Sequence, residues 1–255
     1  MPTYLSTFDG LLWLVLMLLP LYLLQRLLHH EIQAIFLITT RHEAASMFLF
    51  ALVFLPGVLL HELSHFVTAR LLRVRTGRFS LLPRMLSNGR LRLGYVETAS
   101  TDVLRDSLIG AAPLLAGGLF VSFAATGPLQ LLPLWDVLRA GQWPLVWVGL
   151  SMLPSLPDFW LWFYLTFVVS STMLPSESDR HAWLPLLLWI VVLLALAVAS
   201  GIGPWMLDNL APHVNAFLRS VAVLFGLSAA VHAALALPVM LLRRILARLT
   251  GVDVA

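Results

Sequence analysis

Two histidines and a glutamate stand together in the run His61-Glu62-Leu63-Ser64-His65. On a helix, residues four apart lie one above the other, so both imidazoles can reach a single ion. Imidazole nitrogen binds zinc at about 2.0–2.1 Å, and a glutamate between two such histidines is the pattern of a zinc-dependent hydrolase. Glu62 falls beside the ion rather than beneath it, where it can act as general base towards a zinc-activated water. The chain contains no cysteine. Disulfides and thiolate ligands are therefore excluded, and any metal must be held by His, Asp or Glu.

A catalytic zinc usually has three protein ligands and one open position, so a third ligand is expected from elsewhere. The best region is residues 170–180. It begins in an apolar run, breaks at Pro175 and offers Glu177 and Asp179, with His181 close behind. Asp179 has competing uses, as an ion-pair partner of Arg180 or as a cap for the apolar run that begins at Trp183.

These residues must be positioned by helices in lipid. Of 255 residues, 60% are hydrophobic and 11% charged, where soluble domains carry roughly 25% charged. A soluble fold cannot hide that much apolar surface, so the bilayer serves as solvent. Six apolar runs approach the roughly 20 residues needed to cross it: 11–28, 47–69, 108–129, 158–175, 183–201 and 217–242. Residues 29–46 are mixed, with 32–38 expected at the interface. Residues 143–157 are apolar but interrupted by Pro144, Pro154 and Pro157, which suggests a short interfacial or re-entrant piece. The fold class expected is an all-α polytopic membrane protein of about six transmembrane helices, with residues 1–255 forming a single membrane-embedded domain.

The run His61–His65 lies within the second apolar segment, behind fourteen uncharged residues, 47–60. Glu62 is eight residues from Arg70, roughly 12 Å along a helix. Ionisable groups at such depth cost about 2.5–3.5 kcal/mol each and mark function by default.

The formal charge is +3, and all sixteen basic residues are arginine. Eight of them lie between Arg70 and Arg105. A basic loop against anionic lipid explains this charge better than a nucleic-acid face. Within the loop, Ser87-Asn88-Gly89 is a turn signal, and Arg90 to Val96 alternates like a strand, with residues 79–82 as its partner. A small basic β-hairpin on the membrane surface, or an irregular basic loop, is the expectation between the second and third helices. Six alternating crossings with this loop in the cytosol place twelve arginines inside and four (Arg26, Arg41, Arg139 and Arg219) outside. Both termini are then cytoplasmic, in what the arginine-only usage suggests is a prokaryotic cell membrane. His29, His30 and Glu31 read as an interfacial polar face on the side opposite the zinc. His232, within the last apolar run, reads as a packing hydrogen bond.

The helix His61-Glu62-Leu63-Ser64-His65, followed by a proline-containing, aspartate-bearing segment, resembles the site-2 protease family of intramembrane zinc metalloproteases (peptidase family M50). Residues 109–117 resemble the small-residue, proline-bearing start of that family's third core helix. The resemblance spans residues 47–180. It implies zinc held by His61, His65 and Asp179, Glu62 as general base, and hydrolysis of peptide bonds in membrane-protein or transmembrane-peptide substrates. Where that family carries asparagine before the proline, this chain has Thr172, with Ser171 beside it as a second hydroxyl able to polarise a substrate carbonyl. Ser178 and Arg180 flank the aspartate in place of leucine and glycine. Substrate selection would use the helices and strand addition along the hairpin. Two other readings remain open: an M48-type membrane metalloprotease with Glu177 as third ligand, and a catalytically inactive zinc-binding relative.

Overall fold

The computed structural model describes residues 9–85 and 91–252. Among them are nine α-helices: α1 (Asp9–Thr40), α2 (Glu43–Leu71), α3 (Val103–Thr126), α4 (Leu131–Arg139), α5 (Trp143–Met152), α6 (Phe159–Thr172), α7 (Trp183–Ala199), α8 (Gly203–Asn209) and α9 (Ala211–Thr250). Four of these, α1, α2, α3 and α9, are long and apolar enough to cross a membrane. Two bent pairs raise the number to six if each is one span: α5, with the turn after it, meets α6 at 100°, and α7 meets α8 at 113°. The chain is an all-α polytopic membrane protein, because α-helices satisfy their own backbone groups where lipid offers no partner.

Helix α2 carries the two histidines and is closed at both ends by local chemistry. His42 caps its start by accepting from the Ala45 N–H at 3.4 Å, and Arg70 lies in the last turn, where the helix dipole favours a cation. Pro56 interrupts the ladder within it. Helix α6 packs parallel to α2. Tyr164 donates to the Val53 carbonyl at 2.7 Å, and a side chain at Gly57 would meet the Val168 carbonyl at 2.3 Å. Only glycine permits that approach, which is how helices associate when lipid removes the hydrophobic drive between them. Helix α3 runs antiparallel to α6, with Gly117 against Met173 and Phe123 against Trp162. Leu28, Phe50, Phe54, Val58, Phe167, Val168 and Val231 form one core cluster across α1, α2, α6 and α9.

Helix α1 continues through the residues expected at the interface. It turns sharply at Arg41 (φ 54°) and leads antiparallel into α2, with His29 against Phe54 and the Ser46 hydroxyl donating to the Gln33 carbonyl. His29 is therefore packed among phenylalanines, not on an interfacial face. Glu31 is likewise buried and pairs with Arg243 at 2.7 Å. At the other end of α1, Asp9 pairs with Arg219, and the Gly10 N–H donates to Asn215 at 2.7 Å. Contacts that advance together along both helices mean that α1 and α9 run parallel.

This pairing overturns one expectation. Asp9 and Thr250 lie at opposite ends of the α1–α9 pair, so the start of α1 and the end of α9 do not share a side as six alternating crossings require. The physical reason lies in α7 and α8. That pair leaves from the end where Ser107 donates to the Ala182 carbonyl, and the chain returns to the same end at Asn215. It therefore makes no net crossing.

The loop after α2 forms an antiparallel hairpin of β1 (Thr76–Ser80), β2 (Arg84–Met85), β3 (Leu91–Arg92) and β4 (Tyr95–Thr98). Phe79 stands opposite Val96 and Arg84 opposite Arg92. The expected turn at residues 87–89 lies outside the described residues. The hairpin does not stay on the surface. Leu81 and Leu93 pack on the core cluster of Phe54 and Val58, so its middle descends along α2.

The chain lacks cysteine, so single cysteines introduced at Glu97 and Gly251 report sidedness with an impermeant maleimide. The two sites should react from opposite sides of the membrane. Labelling of both from one side would contradict the parallel pairing.

Candidate metal centre

The three expected ligands meet. His61, His65 and Asp179 each offer a ligand atom within 4.8 Å of the others, the one group of this kind among the described residues. His61 Nε2 lies 3.2 Å from His65 Nε2 and 3.7 Å from Asp179 Oδ2, and His65 Nε2 lies 3.3 Å from Asp179 Oδ1. Ligands about 2.0–2.1 Å from a tetrahedral zinc stand roughly 3.3–3.4 Å apart, so the donor set fits that ion.

The tautomers are set by two backbone carbonyls. His61 Nδ1 is 2.7 Å from the Thr172 carbonyl, and His65 Nδ1 is 2.8 Å from the Ile109 carbonyl. A carbonyl only accepts, so each Nδ1 carries the proton and each neutral ring presents a lone pair at Nε2. Two lone pairs and a carboxylate then face one another.

Both carbonyls are available for a reason written in the sequence. Ile109 would pair with the N–H four residues on, but that residue is Pro113, which has none. Thr172 is the last residue of α6, where helix carbonyls lose their internal partners. The proline inside α3 thus frees the acceptor that orients His65.

Asp179 reaches the histidines because the chain after α6 turns back. The Ser176 N–H donates to Asp179 Oδ2 at 2.7 Å, and the Asp179 N–H returns a bond to the Ser176 hydroxyl. Arg180 bonds the Ser176 carbonyl, and α7 has no side-chain cap, so neither competing use of Asp179 is realised. The Ser176 N–H bond favours the ionised carboxylate, the form in which Asp179 can bind a metal.

Glu62 is buried beside the trio, and a side chain at Gly94 would meet its Cγ at 3.0 Å and its Oε1 at 3.1 Å. The hairpin backbone therefore lies directly against the expected base. Neither the Ile109 carbonyl nor the Gly94 contact was read from the sequence; the proline at position 113 was the available signal for the first.

The other candidates lie elsewhere. Glu177 is exposed and outside the trio. His181 faces Asp106 at 3.5 Å and bonds the Ser178 carbonyl. The Thr172 hydroxyl bonds back to Val168 of its own helix, and the Ser171 hydroxyl meets His232 on α9 at 2.8 Å, so neither points at the ligand trio. The His232 contact is a packing hydrogen bond, as expected.

The tightest steric constraint is at Gly110, where an added Cβ would come within 1.9 Å of the Asp179 carbonyl oxygen. Gly110→Ala should push Asp179 away from the histidines and weaken zinc binding by about 10- to 100-fold, measured by chelator competition on the purified chain. Unchanged affinity would show that the close approach does not place the ligand.

Comparison with known proteins finds no matching family model, no matching curated protein and no matching solved structure.

Proposed function

We propose that this chain is an intramembrane zinc metalloendopeptidase of the site-2 protease type, hydrolysing peptide bonds of membrane-protein substrates. The observation that carries the reading is the convergence of His61 Nε2, His65 Nε2 and Asp179 at 3.2–3.7 Å, with both Nδ1 atoms committed to carbonyls. These three residues would hold the ion. Zinc, when bound, supplies Lewis acidity that polarises a substrate carbonyl and brings the pKa of water towards about 7.

The chain's own residues supply the rest. Glu62 accepts the proton of the attacking water on its carboxylate and returns it to the leaving amine. A site meant only to hold zinc has no use for a buried carboxylate beside the ligands. The apolar walls of α2, α3 and α6 limit water to what the site admits. The hairpin crosses at Gly94, beside Glu62, where an extended substrate segment can pair with strand edges.

The reading also assigns sides. Seven arginines belong to the metal end: Arg70, Arg73, Arg75, Arg78, Arg105, Arg180, and Arg219, which pairs with Asp9. The opposite end and its connections carry Arg41, Arg139, Arg243, Arg244 and Arg248. The positive-inside rule then puts the metal end and the start of α1 in the cytosol, and the end of α9 outside.

The test uses zinc-loaded protein in detergent, fluorescein-labelled casein and a set of single-span transmembrane peptides. The parent should cleave. Glu62→Gln should keep its zinc and lose about 10²- to 10⁴-fold in rate, the usual contribution of general acid–base catalysis. Parental rates in Glu62→Gln would remove the glutamate from the mechanism. A parent that binds zinc but cleaves none of these would favour the inactive zinc-binding reading.

A further inference from the structure

A buried polar cluster beside the metal ligands joins α1, α6 and α9. His232 on α9 is fully buried, and Ser171 on α6 is 1% exposed. His232 Nδ1 lies 2.7 Å from the Ser228 carbonyl of its own helix, so Nδ1 carries the proton and Nε2 accepts. The Ser171 hydroxyl donates to that Nε2 at 2.8 Å. From α1, Gln25 donates its amide to the Ser171 carbonyl at 2.5 Å. That carbonyl is free for the same reason as the one at Ile109: the residue four positions on is Pro175. Ser171 is thus held through its side chain by α9 and through its backbone by α1.

One peptide further along, the Thr172 carbonyl accepts from His61 Nδ1. The Met173 N–H still donates to the Val169 carbonyl at 2.9 Å, but the Thr172 carbonyl has no helix N–H to accept from, so its direction is shared between that last helical bond and the groups that hold the end of α6 from outside. Groups that orient a ligating histidine through its second nitrogen govern metal affinity nearly as strongly as the ligands do.

We propose that His232 and Gln25 are positioning residues for the metal centre: by clamping Ser171 they fix the Thr172 carbonyl and, through it, the direction of the His61 lone pair. The parallel α1–α9 pair is thereby mechanically joined to the ligand set of α2. This rests on the reading of His61, His65 and Asp179 as a zinc centre, but not on proteolysis.

The experiment is a double-mutant cycle on the full chain in detergent. Zinc affinity is measured by competition with a chromophoric chelator. Ser171→Ala and His232→Leu should each weaken zinc binding by about tenfold, the lower end of the range for outer-shell partners. The double variant should be no weaker than either single, because the two residues act through one contact. His232→Gln, which keeps an acceptor, should recover most of the loss. Asn215→Ala removes a hydrogen bond of the same α1–α9 pair far from the centre, and should leave affinity unchanged although the bundle is loosened. Single variants that bind zinc like the parent, losses that add in the double, or an equal loss in Asn215→Ala would each overturn the proposal. If His232→Leu does not fold, Ser171→Ala and Gln25→Leu carry the same comparison. A parent that binds no zinc ends the metal-centre reading and this one with it, whereas a zinc-binding parent with unaffected variants ends this one alone.

Discussion

Everything in this molecule is arranged around one electrostatic problem: two imidazole lone pairs and a carboxylate brought face to face inside an apolar helix bundle. Ionisable groups at membrane depth cost about 2.5–3.5 kcal/mol each, and like-signed electron density at contact distance adds to that. A cation at the centre resolves both costs, and on the proposed reading it is zinc. The close approaches of the core follow from the same demand. Gly57 lets α6 lie on α2, and Gly110 lets the Asp179 segment lie on α3. Without both, the carboxylate and the two histidines would not share a site.

The second requirement is orientation, which the protein obtains from helix defects. An intact helix in lipid has no carbonyl to spare, since each is taken by the N–H four residues later. Pro113 and the end of α6 each release one, and the two released carbonyls are those that bind His61 and His65. Pro175 releases a third, which Gln25 occupies. Residues that look like helix breakers are therefore the means by which polar acceptors are delivered at depth.

The pairing of His61 and His65 was legible in the sequence because its signal is local, one helical turn. The proline-marked segment offered Glu177, Asp179 and His181 alike, and only the family resemblance singled out Asp179, the one that the structure brings to the histidines. The small basic hairpin was legible from alternation and from its arginines. Helix pairing was not. The contacts that align α1 with α9, Asp9 with Arg219 and Glu31 with Arg243, join residues 210 and 212 positions apart. Apolar helices carry little mark of which neighbour they choose, since lipid and leucine are nearly equivalent surroundings. The interfacial reading of His29 failed for the same reason: its neighbours Phe50 and Phe54 come from another helix. The depth of the hairpin depended on Leu93 finding the core of α2, a long-range contact that strand periodicity does not encode.

The central claim is that the trio binds zinc in a four-coordinate site with two imidazoles and oxygen. X-ray absorption at the zinc edge of the purified, zinc-loaded chain reads this directly. The account predicts one zinc per chain, two imidazole shells at about 2.0–2.1 Å, oxygen from a carboxylate and one further light atom, and no sulfur. A chain that takes up no zinc, or a spectrum with six oxygen neighbours and no imidazole scattering, would contradict it.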